Sequence, residues 1–70
     1  MSRALTARRV ARHGVPKGAM TTSPYQSHNG APVWVSIVAA RECGCHVEFT
    51  TDTGKFMLVD ATHPVFVVRS

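Results

Sequence analysis

Four consecutive residues, Cys43-Gly44-Cys45-His46, gather two thiols and an imidazole, and His28 and His63 place further imidazoles elsewhere in the 70-residue chain. Two thiolates and two neutral imidazoles make a tetrahedral zinc site, and a structural metal is a common aid to a domain this small. Cys43, Cys45, His46 and His63 are therefore the candidate metal ligands. Their spacing argues against zinc. Structural sites place two to four residues between paired cysteines, so that the chain turns around the ion. With one residue between them on an extended strand, Cys43 and Cys45 point to one face about 7 Å apart, and His46 points to the other. Neither a second cysteine pair nor an H-x₃₋₅-H pair completes a set. The expectation is no cofactor, with zinc as the alternative. Cys45 then reads as a small core residue and Cys43 as the entry to a strand, both reduced.

Hydrolytic chemistry has less support. Ser, His and Asp all occur, without a G-x-S-x-G elbow or a glycine-rich phosphate loop. Asp52 belongs to a turn, Glu48 is the polar half of an alternating strand, and Glu42 and Asp60 flank turns. No two carboxylates present themselves as an acid and a base, so the chain reads as non-enzymatic. The segment 54–67, GKFMLVDATHPVFV, resembles the strand, T-x-x-H-P and strand block of intein and Hedgehog-type autoprocessing domains. Asp60 stands where that family has threonine, and no junction Cys or Ser is identifiable. The resemblance therefore implies no self-processing here, and His63-Pro64 reads as a turn before an apolar strand.

Charge is distributed unevenly. Arg3, Arg8, Arg9, Arg12 and Lys17 put +5 into residues 1–19 with no acid, whereas residues 20–70 sum to −1. Such a basic segment is suited to nucleic acid or to an acidic protein surface, and these five cations are the candidate phosphate- or partner-binding residues. No apolar run approaches the ~20 residues that span a bilayer, and arginine recurs too often near the start for a secretory signal. Intracellular residence, or a virion if the source is a phage, is the expectation.

The elements that must position these groups follow from patterning. Residues 2–13 predict a short helix with Ser2 as N-cap, stopped by Gly14 and Pro16. Ala4, Ala7 and Ala11 form a narrow stripe beside Arg8, Arg9 and Arg12, with Val10 apart, so the helix is expected to order against a partner. Residues 20–32, rich in Gly, Pro, Ser and Thr, read as a linker, and Met20 is an alternative start. From residue 33 the pattern turns to β. The run 33–38 is β-branched and aromatic; Cys45, Val47 and Phe49 alternate with His46, Glu48 and Thr50. Thr51-Asp52-Thr53-Gly54 is a turn, Phe56 and Leu58 are expected inward on the returning strand, and residues 65–68 are apolar on both faces.

Together these features predict a mainly β chain: an antiparallel meander or SH3-like half-open barrel of about four strands over 33–69, with a short basic N-terminal helix or arm. The organisation is 1–19 arm, 20–32 linker and 33–70 β domain. A core this small favours a docking surface over a deep catalytic pocket. The expected function is a non-enzymatic accessory or structural protein seated on a larger assembly such as a viral particle. Its partners would be protein subunits, self-association included, and no membrane. Trp34, Phe66 and Val68 are the candidate interface. The alternative is a small DNA- or RNA-binding protein that uses the basic arm on phosphates.

Overall fold

The computed structural model of the chain describes residues 2–68, and within them the side chains of 4–24 and 29–68. Seven elements follow one another: β1 (Ser2–Thr6), α1 (Ala7–His13), β2 (Ala19–His28), β3 (Ala31–Cys43), β4 (His46–Thr51), β5 (Phe56–Asp60) and β6 (Pro64–Val68). The six strands make one open antiparallel sheet in the order β1-β6-β2-β3-β4-β5. Strands β2 to β5 are a meander. β6 then crosses back to the free side of β2 and receives β1 on its own outer edge. The mainly β expectation holds, but the strands number six rather than about four.

The two additional strands come from the segments read as arm and linker. Ser2–Thr6 is extended, pairing from Ser2↔Val68 to Thr6↔Pro64, so residues 2–13 are not one helix. The N-cap is Thr6 rather than Ser2: its backbone is extended, and its Oγ1 accepts the Arg9 N–H at 3.2 Å. The next orphan donors are also met, since Ala7 N–H and Arg8 N–H donate to the His63 and Ala61 carbonyls, each at 2.9 Å. The helix buries Ala7 and Val10 and half-buries Ala11, an i, i+3, i+4 stripe in which Val10 is central rather than apart. The basic helix is thus ordered by its own sheet, and needs no partner to fold.

The stretch read as linker is strand β2, irregular between Thr22 and Ser27 where Pro24 falls. It returns through Asn29-Gly30, whose φ values of 52° and 77° lie between the paired His28 and Ala31. Two successive positive φ values define a type I′ hairpin turn, which matches strand twist and is best tolerated by Asn-Gly.

β3 is long enough to pair with β2 along its first half and β4 along its second. Its register slips between Ile37 and Ala39, leaving Val38 as an extra residue. The slip reverses the side-chain phase: Ile37 is buried before it and Ala40 is the inward residue after it.

β5 corrects another expectation. Met57 and Val59 point inward, while Phe56 and Leu58 are 68% and 45% exposed. The turn decides this. Thr51 N–H donates to the Lys55 carbonyl at 2.8 Å and Lys55 N–H to Thr51 Oγ1 at 3.1 Å, which sets Phe49 opposite Met57. The core is then Phe49, Val47, Val10, Val65, Ile37, Met57 and Val59, with Ala7 and Ala19 filling its edge.

Candidate functional site

Alternation along the strands gives the first half of the sheet two apolar faces. In β6, Val65 is fully buried, and Pro64, Phe66 and Val68 face the other way. The register extends this outer face sideways. Phe66 lies opposite Ala4 on one side and Met20 on the other, and Met20 lies opposite Ser36. The adjoining row carries Thr6, Pro64, Thr22 and Trp34.

Trp34 and Phe66 meet edge to face, with ring centroids 5.5 Å apart and planes at 63°. Strand β2 runs between their strands, so the rings close over Met20 and Thr22 and leave both half-buried. The upper surfaces remain open: Trp34 is 49%, Val68 53% and Val38 59% exposed. Helix α1 packs on the opposite face, where Ala7 and Val10 join Ala19, Ile37 and Val65. No element among the described residues covers the outer face. This apolar patch is the candidate interaction surface of the domain.

Trp34, Phe66 and Val68 are therefore brought together on one face, as the apolar final strand suggested. Met20, Ala4 and Val38 complete it and escaped sequence reasoning. Met20 and Ala4 lay in segments read as linker and helix. The signal for β2 was Asn29-Gly30, a hairpin turn hidden among prolines and other glycines.

Two of the candidate cations border this face: Arg9 lines a hollow with Ala4, Thr6 and Pro64, and Lys17 lines one with Gly18, Ser36 and Val38. The Arg3 side chain lies outside the described ones; Arg8, Arg9, Arg12 and Lys17 are exposed. Arg12 Nε pairs with Glu42 Oε1 at 2.6 Å, tying the helix end to the second half of β3. Arg41 pairs similarly with Glu48 at 3.0 Å. Both pairs are largely exposed and add little to stability. Arg8 and Arg9 have no carboxylate partner among the described residues.

The candidate metal ligands separate. Gly44 and Cys45 form the hairpin turn between Cys43 and His46, which face each other as cross-strand partners. Both thiols are exposed, so Cys45 is a turn residue and not a core one. His46 lies beside Asp60 on β5, Nε2 to Oδ1 3.6 Å. His63 is elsewhere, its Nε2 bonded to the Thr22 carbonyl at 3.0 Å. Among the described residues, no three His, Cys, Asp or Glu side chains form a group that could hold a metal ion. The His28 side chain lies outside the described ones. No helix among the described residues is long and apolar enough to cross a membrane.

Comparison with protein-family models, with curated proteins and with solved structures found no match to this chain.

Proposed function

We propose that this chain is a non-enzymatic docking protein, an accessory piece of a protein assembly such as a viral particle, seated through the outer face of β1, β6, β2 and β3. The observation that carries this reading is the aromatic pair of exposed Trp34 and half-buried Phe66, beside exposed Val38 and Val68, on a face that its own helix does not cover. A lone sheet with two apolar faces is normally an inner layer, and a docked partner would supply the second cover.

A photo-cross-linking residue at position 34 or 68 in the producing cells tests it. Adducts with a polypeptide are expected from both positions and not from Asp52, which lies in the exposed β4–β5 turn. Absence of adducts from 34 and 68 would sink the docking reading. A second reading rests on Arg8 and Arg9, which have no carboxylate partner among the described residues and suit phosphate oxygens. Salt separates the two, because it weakens a phosphate contact and not an apolar one.

A further inference from the structure

We propose that Cys43 and Cys45 form a two-coordinate thiolate site for a soft monovalent metal ion, copper(I), at the tip of the β3–β4 hairpin. The site uses none of the residues of the apolar face and does not depend on the docking reading.

The turn sets the two thiols side by side. Cys43 and His46 are the last pair of the β3–β4 ladder, and Gly44-Cys45 is the whole of the connection. Gly44 has φ of 63° while Cys45 keeps a negative φ, which makes the turn type II′ with glycine at its first central position. β5 holds it from the side: the Ala61 N–H donates to the Cys45 carbonyl at 3.3 Å, and His46 pairs across with Asp60. Both thiols are exposed. Neither has a packing role that calls for a cysteine, so the reactivity of sulfur is the property left.

Reach decides what the pair can hold. Cα atoms two residues apart across such a turn stand about 6 Å from one another, and each Sγ swings about 2.8 Å from its Cα as χ1 turns. Linear S–Cu–S coordination needs sulfurs about 4.4 Å apart, twice a metal–thiolate bond, on opposite sides of the ion. Rotation about χ1 alone covers that. A disulfide instead needs sulfurs at about 2.0 Å and Cβ atoms at about 3.8 Å, on Cα–Cβ bonds that converge. Cys43 stands in the outward row Cys43–His46–Asp60, since the next row holds buried Val47 and Val59. Cys45 lies beyond that row in the turn and no longer shares its face. The two bonds therefore diverge, which favours an ion between the sulfurs over a bond between them. Gly44 leaves the gap clear, with nothing within 4 Å of the place a Cβ would take.

Ligand number selects the ion. Zinc takes four donors, and calcium and magnesium take six or more oxygens, whereas the tip supplies two thiolates. His46 is no third ligand, because its Nε2 is turned to Asp60 Oδ1 at 3.6 Å. This agrees with the lack of any three-residue metal group among the described residues. Copper(I), a soft closed-shell ion, is satisfied by two thiolates. On binding, each Sγ–H loses its proton and forms one S–Cu bond; the ion stays monovalent and both protons pass to solvent.

Anaerobic titration of the reduced full chain with copper(I) held by bicinchoninate tests the site. One copper(I) per chain should leave the coloured chelate, with a new thiolate-to-copper absorption in the near ultraviolet and no zinc retained on desalting. Cys43→Ser and Cys45→Ser should each weaken binding at least about 100-fold with unchanged circular dichroism, since both side chains are exposed. His46→Gln should bind within about twofold of the parent chain. Copper(I) that stays with the chelator overturns the proposal, as does a single-cysteine variant that binds like the parent. Copper that doubles the sedimenting mass would reveal a bridge between chains, and a loss in His46→Gln as large as in the cysteine variants would reveal a third ligand. Either result overturns the two-thiolate assignment.

Discussion

Two glycines of the N-terminal half both have positive φ and differ in their surroundings. Gly14 caps α1 with φ of 92° and has open space where a Cβ would stand; Gly18 has φ of 82° and the Val68 carbonyl oxygen 2.6 Å from that point. Alanine at Gly14 meets backbone strain alone, about 1–3 kcal/mol, because φ 92° with ψ 155° is a region almost confined to glycine. Alanine at Gly18 must also push β6 away, so a loss of at least about 3 kcal/mol is expected. Urea unfolding of the Gly18→Ala variant measures this, and a loss of no more than about 1 kcal/mol would show that the close approach of β2 and β6 is not tight. At this scale residue type often announced the outcome. Thr51-Asp52-Thr53-Gly54 turns as its chemistry requires, and Phe49 and Val47 are buried as their alternation with Glu48 requires. Cys45 did not, because Gly44-Cys45 is a two-residue turn and breaks the alternation that placed it inward.

Helix α1 carries the sharpest difference at the scale of elements. Its composition is that of a marginal isolated helix, and its order comes from the sheet: Thr6 caps it, the β5–β6 turn takes its first amides, and Val10 enters the core. Val10→Ala should therefore lower stability by about 2 kcal/mol and the melting temperature by about 10 °C, as for a buried methyl pair in a small domain. A free arm would register no change, so an unaltered melting curve would contradict the docked helix. The strands show why legibility stopped where it did. β3 and β4 declare themselves by β-branched and alternating residues. β1, Ser-Arg-Ala-Leu-Thr, has no strand pattern of its own and is extended because β6 pairs with it. β5 is apolar in both phases, so Phe56 and Leu58 looked as suitable for the core as Met57 and Val59. The Thr51–Lys55 hydrogen bonds chose between them. Trp34, Phe66 and Val68 stand out in the sequence as interface candidates; their contiguity with Met20 does not, since it needs the crossing of β6 to β2.

At the scale of the whole molecule, exposed guanidinium groups and an apolar strand face offer two different kinds of contact, so salt should act on the two differently. A tenfold rise in salt should leave docking through the apolar face unchanged or slightly tighter, because apolar contacts do not release counterions. Binding of an oligonucleotide through two guanidinium groups should fall roughly 60-fold over the same rise. Sedimentation and fluorescence anisotropy in the same salt series read both, and association that falls steeply with salt would count against the apolar interface.

The pairing of β1 with β6 has a mechanical meaning. Ser2 and Val68 are partners at one corner of the sheet, so tension applied through these two positions acts across the strands and not along them. Hydrogen bonds of an antiparallel pair lie perpendicular to the strands, and a pull in that direction opens them singly, like a zipper. Tension along the strands would instead have to shear them all at once. Anchored at these two points, the protein would yield to a small force by peeling β1 from β6, and α1 would follow as the Ala7 and Arg8 amides left the β5–β6 turn. The apolar face would lose its outer strand in the same event, so a load on the ends would act as a release for whatever that face holds.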